Sequence, residues 1–275
     1  YDFSRRRLTI VVDEADTPSG HLMVTKGAFA EVLAVCTALT RGGTTSPLDE
    51  AERKRLEAWF QTQGEAGYRA LALATRRVPA ASRYTRDDEA DMTLRGFLLF
   101  LDPPKAGAAE TLKALAALGI RVKVISGDNR YVTAHLAESL ELPRRAMLTG
   151  EDLAAMRDEA LWRQAQDVDL FVEVDPQQKE RIVRALQQTG HAVGYLGDGI
   201  NDAPALARSD VGIAMGTGTD VAMESAGITL LKGDLMGIAK AYKLSHATMR
   251  NIRQNLFFAF IYNALGIPIA AGRSE

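Results

Sequence analysis

The chain has 275 residues, of which 47% are hydrophobic, so it holds enough apolar material for one large or two medium domains. Its 33 basic and 35 acidic residues nearly cancel, which argues against a whole-chain field that attracts nucleic acid or an anionic membrane surface. The single cysteine, Cys36, excludes an internal disulfide, and its apolar neighbours predict a core thiol on the buried stripe of a helix. Binding is therefore expected at local sites.

The segment up to residue 92 has the pattern of a small α+β region. Helical spacing predicts helices over 28–39 and 47–60, the second opened by Ser46 and Pro47. A polar stretch at 79–91 is the predicted loop before a domain boundary. Strands are predicted at 8–12, 21–24 and 68–74, the first two as a hairpin.

After residue 93, short apolar runs alternate with amphipathic helical segments such as 106–118 and 176–188. Strands that alternate with helices form parallel sheets, so this pattern predicts an α/β fold with helices on both faces of a sheet. Ligands of such sheets bind beyond the carboxyl ends of the strands. The predicted strands are 96–101, 121–125, 170–174, 191–196, 211–214 and 228–231.

Two carboxylates and an amide follow the predicted strand 191–196, in the run GDGINDAP at 197–204. Glycines allow a sharp turn, and a helix is predicted to begin near Asn201 or Asp202. Mg²⁺ prefers hard oxygen ligands from one or two carboxylates plus phosphate, so Asp198 and Asp202 are candidate metal ligands. The alternative is an ordinary Asp-Gly turn with a polar helix cap.

Two further turns carry groups that suit phosphate. Ser126, Gly127 and Asp128 follow the predicted strand 121–125 and offer a hydroxyl, a backbone N–H and a carboxylate. Lys179 lies in the first turns of a predicted helix, where it is either a solvated charge or a group that neutralises a transferring phosphate. By itself, the serine turn is also explained as a capped helix start.

Near the C-terminus, 256–271 is almost free of charge but shorter than the ~20 residues that a membrane-spanning helix needs. It is interpreted as a truncated span or as a buried helix, and flanking Arg250, Arg253 and Arg273 favour the membrane. The chain starts at Tyr1 and shows no signal peptide, which leads us to expect that it begins inside a longer protein.

Five motifs together resemble the P-type ATPases, the ATP-driven cation pumps, in order and spacing. They are TKGA at 25–28, LDPPK at 101–105, SGD at 126–128, DPQQK at 175–179 and GDGINDAPAL at 197–206. The resemblance covers nearly the whole chain. It implies a haloacid-dehalogenase-like Rossmann phosphorylation domain, an inserted nucleotide-binding domain, and ATP and Mg²⁺ as cofactors.

The resemblance also implies a division of the chain and a cellular setting. Residues 1–92 would be the C-terminal part of the nucleotide-binding domain, and 93–245 the phosphorylation domain without its nucleophile strand. Residues 246–275 would be a stalk and the start of a transmembrane helix. The partners would be ATP, a transported cation and the membrane, with no nucleic acid, and most of this portion of a membrane protein would lie in the cytoplasm.

Roles at the phosphorylation site follow from the same resemblance. Asp198 would bind Mg²⁺, and Asn201 and Asp202 would order the phosphate and the surroundings of the metal. Lys179 would neutralise the phosphoryl group. Ser126, where the family usually has threonine, would donate a hydrogen bond to it.

Roles at the nucleotide side are implied in the same way. Phe3 would stack on adenine, Lys26 and Gly27 would line the adenine pocket, and Arg69 would reach the phosphates. From the residues alone, a core aromatic at Phe3 and a surface charge at Arg69 remain open.

The connection between the two sites is also implied. Asp128, next to Gly127, would position the nucleotide. Asp102 to Lys105 would form the hinge that carries the inserted domain. Lys105 replaces a commoner arginine, which keeps the charge but gives up bidentate geometry.

This sequence departs from the family pattern in three respects. No DKTGT-type segment with the phosphorylated aspartate occurs in the chain, so we expect it not to form its own aspartyl-phosphate. No TGE-type dephosphorylation motif occurs either. Glu173 stands where many relatives have arginine.

The resemblance divides over the transported ion. Residues 1–210 resemble the magnesium-transporting branch and 211–272 the copper and heavy-metal branch, in which a Tyr-Asn pair takes part in ion binding. That pair maps onto Tyr262 and Asn263, and an amide in an apolar helix indicates function or helix contact. A heavy metal such as copper, or a generic divalent cation, is the expected ion, with magnesium as the alternative.

Two other classes of protein compete with this interpretation. A soluble haloacid-dehalogenase-type phosphatase shares the acidic metal turn but needs an early Asp-x-Asp nucleophile, which is missing from the sequence. A stand-alone nucleotide-binding regulator explains the first block without any catalysis.

Overall fold

A computed structural model describes residues 5–13 and 20–272, which divide into two compact units. The first unit comprises residues 1–104, 124–157 and 167–175. The second comprises 105–123, 158–166 and 176–275. The domain boundaries predicted at 92/93 and 245/246 stay a prediction.

A six-stranded sheet dominates the first unit, in the order β1-β2-β5-β6-β3-β4. All neighbouring strands are antiparallel except β3 and β6, which are parallel. Two helices belong to this sheet, α1 (Phe29–Leu33) and α2 (Glu50–Glu65). The strands are β1 (Arg7–Asp13), β2 (Gly20–Ala28), β3 (Cys36–Arg41), β4 (Thr44–Pro47), β5 (Tyr68–Pro79) and β6 (Met92–Leu101).

The alternation of β5 separates a buried face of this sheet from an open one. Ala70, Ala72 and Ala74 are buried, and α1 and α2 pack against this strand. Small side chains at these positions let the helices approach closely. Arg69 and Leu71 alternate with the alanines and so lie on the other face, called the open face here, on which Arg69 is exposed.

The first unit also contains a small parallel sheet in the order β7-β9-β8. Its strands are β7 (Val124–Ile125), β8 (Met147–Thr149) and β9 (Leu170–Val172), with helices α4 (Arg130–Ser139) and α5 (Gly150–Ala155). Helix α4 packs against α2, where an added Cβ at Gly64 would lie 2.7 Å from Cβ of Tyr131. Glycine therefore permits this close approach.

The second unit is built on a parallel sheet in the order β10-β11-β12. Its strands are β10 (Gly194–Gly197), β11 (Val211–Met215) and β12 (Ile228–Leu230). Its helices are α3 (Ala108–Ala117), α6 (Asp158–Gln164), α7 (Pro176–Gln188), α8 (Ala203–Arg208), α9 (Asp220–Glu224) and α10 (Met236–Ala271). Helix α7 buries Ile182, Val183 and Leu186, which recur at the spacing of one helix face.

The structure confirms the predicted hairpin and the strand-helix alternation, and corrects three predicted elements. The helix predicted over 28–39 ends at Leu33, and Cys36 is buried in a strand because 36–41 pairs with β6 and β4. The helix predicted over 47–60 begins at Glu50, where the Asp49 carboxylate accepts the Glu52 N–H, so Ser46 is not its cap. The strand predicted over 96–101 pairs antiparallel with β5 instead of opening the parallel sheet.

Helix α10 is 36 residues long and exposes many large apolar side chains, among them Phe257, Phe260 and Leu265. None of the helices in the described residues has both the length and the apolarity that crossing a membrane requires.

Candidate functional site

The Asp202 carboxylate is held on both oxygens by residues of the second unit. Lys179 of α7 donates to Oδ1 from 2.8 Å, and the Tyr195 hydroxyl of β10 donates to the same oxygen from 2.9 Å. The backbone N–H groups of Asp198 and Gly199 donate to Oδ2 from 3.3 and 3.2 Å. Asp202 therefore ties a helix, a strand and the turn after that strand together.

The electrostatic state of Asp202 follows from these partners. Burial by itself would raise the pKa of Asp202. The hydrogen bond and positive charge of Lys179, together with the hydrogen bonds from Tyr195 and the Gly199 N–H, outweigh burial and lower this pKa below its ordinary value. Burial, then the charge and hydrogen bond of Asp202, raise the pKa of Tyr195. Asp202 is thus an anion and Tyr195 a neutral donor at neutral pH.

Asp198 lies in the same turn but presents its carboxylate differently. It is exposed, and no hydrogen bond or ion pair engages that carboxylate within the described part of the chain. Its backbone is fixed, because its carbonyl accepts the Thr219 N–H at 2.9 Å. An added Cβ at Gly218 would lie 2.5 Å from the backbone carbonyl oxygen of Asp198, so a side chain at position 218 would disrupt the hydrogen bond from Thr219.

The donors at this turn fit Mg²⁺ bound in a partly hydrated form. Asp198 offers a carboxylate and exposed Asn201 an amide oxygen, whereas Asp202 already satisfies four donors. Within residues 5–13 and 20–272, no three His, Cys, Asp or Glu side chains cluster as a metal centre. Mg²⁺ commonly takes one or two carboxylates and completes its shell with water and phosphate, so this set suits it.

Ser126, Gly127 and Asp128 form a compact turn in the first unit. The Ser126 hydroxyl donates to Asp128 Oδ2 at 3.1 Å and accepts the Asp128 N–H at 3.1 Å. The turn is anchored to the next strand, since the Ser126 N–H donates to the Phe171 carbonyl at 2.8 Å. Ser126 and Lys179 belong to different units, so their joint action on a phosphate stays a prediction.

Glu173 holds this turn from the end of β9. Its N–H donates to the Asp128 carbonyl at 2.9 Å, and its carboxylate accepts from Arg130 Nε at 3.1 Å and Nη2 at 3.0 Å. The Arg130 N–H at the start of α4 donates to the same carboxylate at 3.1 Å. Glu173 has a φ of 59°, a strained conformation for a residue with a side chain.

Arg69 contacts two of the other predicted site residues. Its Nη2 donates to Asp128 Oδ2 at 2.6 Å, and its Nη1 lies 3.9 Å from Asp102 Oδ2. The structure thus brings Arg69, Asp102 and Asp128 together within the first unit. A surface charge alone does not account for Arg69, because its guanidinium contacts two carboxylates.

Lys26 and Arg69 lie on the same open face of the six-stranded sheet. Lys26 is opposite Leu73 in the β2–β5 register, and Leu73 shares its face of β5 with Arg69. Gly27 permits the approach of the N-terminal segment, because an added Cβ would lie 2.5 Å from the Arg6 oxygen. Phe3, the predicted adenine-stacking residue, lies outside the described residues.

The remaining predicted residues are Lys105, Tyr262 and Asn263, which are exposed. Lys105 is exposed and belongs to the second unit, whereas Asp102 belongs to the first. Tyr262 and Asn263 are consecutive exposed residues of α10. Their roles in ion binding stay a prediction.

Sequence reasoning missed Tyr195, Gly218 and Thr219 as supports of the acidic turn. Tyr195 had a detectable signal, because it stands two residues before Gly197 on a strand and so faces the same side. A tyrosine at a buried strand position needs a partner for its hydroxyl. Gly218 and Thr219 had no such signal in the sequence, because they contact Asp198 only once the chain has folded.

A protein-family model described as "Hydrolase: haloacid dehalogenase-like hydrolase" matches residues 23–210. The chain therefore belongs to the haloacid dehalogenase-like hydrolases, and the predicted α/β fold class is confirmed.

Within this class, its relatives are P-type ATPases. "Magnesium-transporting ATPase, P-type 1" of Escherichia coli (strain K12) is 40% identical over 253 residues, which are 92% of this chain and 28% of that protein. "Silver exporting P-type ATPase" of Salmonella typhimurium is 47% identical over 182 residues, 66% of this chain and 19% of that protein. "Copper-exporting P-type ATPase" of Legionella pneumophila is 47% identical over 175 residues, 64% of this chain and 20% of that protein.

These relatives confirm the resemblance to P-type ATPases that the five motifs predicted. The chain spans less than a third of the length of each of the three.

Proposed function

We propose that this chain supplies ATP binding and the Mg²⁺ and phosphate half of the active site in an ATP-driven cation pump. The pump would be a membrane protein that transports its ion through an aspartyl-phosphate intermediate. This portion would lie mostly in the cytoplasm and join the membrane through its C-terminal segment.

The observation that carries this proposal is the difference between the two carboxylates of the Gly197–Asp202 turn. Asp202 satisfies Lys179, Tyr195 and two backbone N–H groups, whereas Asp198 has a fixed backbone and an exposed carboxylate. A turn with one unengaged carboxylate is suited to Mg²⁺, whereas a simple capped turn gives no reason for a largely shielded lysine on the second carboxylate.

Each residue of the turn, and Lys179 of α7, then has a chemical role. Asp198 and Asn201 would hold Mg²⁺, which supplies neutralisation of phosphate charge when bound. Lys179 would place a second positive charge beside the transferring phosphate, with Asp202 fixing its position. Charge stabilisation of this kind accounts for most of the catalysis of phosphoryl transfer.

ATP would bind over the open face of the six-stranded sheet. Lys26 lies on this face and Arg69 shares it, and Arg69 also contacts Asp128 of the serine turn. ATP phosphates would take over the Arg69 guanidinium from the carboxylates of Asp102 and Asp128. Phe3 would complete the adenine pocket.

The transported ion is proposed as a heavy metal such as copper, or another divalent cation, with Tyr262 and Asn263 as ligand candidates. Magnesium is the second candidate, favoured by a specific observation. Similarity to the magnesium-transporting relative covers 92% of the chain, whereas similarity to the silver and copper exporters covers 66% and 64%.

The nucleotide assignment is tested by titrating the purified chain with ATP and excess Mg²⁺ in a calorimeter. Lys26→Ala and Arg69→Ala should each weaken binding about tenfold, which corresponds to the loss of a charge-assisted hydrogen bond. Lys54→Ala is the matched control, because Lys54 is an exposed lysine of α2 that pairs only loosely with Glu50 at 3.8 Å. Equal affinity in all three variants would refute the proposed ATP site.

A further inference from the structure

Tyr195 is the only neutral side chain that donates to Asp202 among the described residues. Tyr195 is 7% exposed, and its hydroxyl lies 2.9 Å from Asp202 Oδ1. The strand alternation places Tyr195 and Gly197 on the same, buried side of β10, so the hydroxyl approaches the turn from the core.

The two oxygens of Asp202 act in different directions. Oδ1 faces Lys179 and Tyr195, and Oδ2 faces the N–H groups of Asp198 and Gly199. Lysine is a flexible point charge that fixes the position of a carboxylate but only weakly fixes its orientation. The buried Tyr195 phenol has its oxygen placed by the ring and prefers to donate in the ring plane, so it restricts the rotation of the carboxylate more than the lysine does.

Gly197 leaves room for this arrangement. An added Cβ there would lie 2.5 Å from Cβ of Asp202 and 3.0 Å from Oδ2. The Asp202 side chain thus fits closely over the turn, and a small rotation would break the contacts with the Asp198 and Gly199 N–H groups. These contacts tie the Asp198 and Gly199 backbone to Asp202, so they contribute to the position from which the Asp198 side chain extends.

We propose that Tyr195 is a positioning residue of the phosphate site, whose hydroxyl orients Asp202 so that Asp202 closes the Gly197–Gly199 turn and aims Asp198. This inference rests on the proposed function for its purpose, because Asp198 is the proposed Mg²⁺ ligand. The structural step, from Tyr195 through Asp202 to the turn, stands without any metal.

The test uses Tyr195→Phe, which removes only the hydroxyl, in the full 275-residue chain. Tyr242→Phe is the matched control, because Tyr242 lies on α10 and packs its ring on His246. Amide hydrogen exchange is measured by NMR without metal. The N–H groups of Asp198 and Gly199 should exchange about five- to tenfold faster in Tyr195→Phe, the effect of one hydrogen bond.

The pattern of exchange separates positioning from general loosening. The ladder N–H groups of β10 and β11 should keep their protection in Tyr195→Phe, whereas a merely structural role would accelerate them too. In an Asp202→Ala background, Tyr195→Phe should add nothing at Asp198 and Gly199, because the hydroxyl acts through Asp202. If Asp202→Ala does not fold, the localised pattern in Tyr195→Phe decides by itself.

Mn²⁺, used as a probe for Mg²⁺, supplies the functional readout. Its dissociation constant should rise severalfold in Tyr195→Phe and stay unchanged in Tyr242→Phe. Unchanged protection of Asp198 and Gly199 in Tyr195→Phe would overturn the inference whatever the metal does. Faster exchange there without any Mn²⁺ binding to the wild-type chain would uphold the Tyr195 link to the turn and refute the proposed function.

Discussion

Lys179 and Asp202 form a 2.8 Å ion pair that is largely shielded from solvent, with side chains 15% and 12% exposed. The pair joins the first turn of α7 to the acidic turn after β10. A charge pair in this position has two consequences, one for stability and one for the dependence of stability on pH.

Lys179→Met should lower the free energy of unfolding by about 3 kcal/mol, because it leaves a buried carboxylate without its cation. Chemical denaturation followed by circular dichroism measures the change. Lys240→Met is the control, since Lys240 lies 3.6 Å from Asp234 with both side chains largely exposed, and it should change stability by less than about 0.5 kcal/mol. Equal effects of the two variants would contradict a buried pair.

The contribution of Asp202 to stability should depend on pH. Its pKa lies below the ordinary value in the folded chain, so its stabilising effect is fully present from about pH 5 upward and is lost as the pH falls through the lowered pKa. The stability difference between wild type and Lys179→Met should therefore shrink in acid. A difference that grows below pH 4 would show that Asp202 is not held as an anion.

Gly197→Ala should destabilise the chain by about 2–3 kcal/mol, because its Cβ would overlap Asp202. Gly199→Ala is the matched control two residues away, where the added Cβ would lie 3.6 Å from the nearest Asp202 oxygen. It should cost less than half as much in thermal denaturation. The prediction fails if the two alanines are tolerated alike.

Glu173→Ala should lower stability by about 1 kcal/mol, because it frees the Arg130 guanidinium and the N–H at the start of α4. A double-mutant cycle with Arg130→Ala should give a coupling of about 0.5 kcal/mol or more. Arg144→Ala, which breaks a 3.4 Å surface pair with Glu138, serves as the control. Additive effects of Glu173→Ala and Arg130→Ala would disprove the pair.

Cys36 should be inert towards thiol reagents in the folded chain. Burial raises its pKa to about 11, despite the opposing charge of Arg53, so little thiolate exists at pH 8. Reaction with an aromatic disulfide reagent should occur only after denaturation, at one thiol per chain. Rapid labelling under native conditions would contradict the buried position of Cys36.

The sequence predicted the acidic turn well because its chemistry is local. Asp198, Asn201 and Asp202 stand within five residues at the end of an apolar run, so strand and turn rules were enough to place them together. The use of Asp202 was not predictable in this way, since its partners Lys179 and Tyr195 meet it only when α7 packs beside β10.

The first block shows where periodicity is ambiguous. Residues 28–39 satisfy helical spacing, yet the chain leaves the helix at Leu33 and enters the strand that begins at Cys36. Pairing with β6, which lies more than 50 residues later in the chain, favours the strand over a longer helix. Pairing between strands that are distant in sequence cannot be deduced from the local hydrophobic pattern.

The central claim, that the turn after β10 binds a divalent cation through Asp198, is tested most directly by paramagnetic broadening with Mn²⁺. Addition of Mn²⁺ to the wild-type chain should broaden the amide signals of Asp198, Gly199 and Asn201 first, and Asp198→Asn should abolish this effect while leaving the fold intact. Broadening centred elsewhere, or undiminished in Asp198→Asn, would contradict the account.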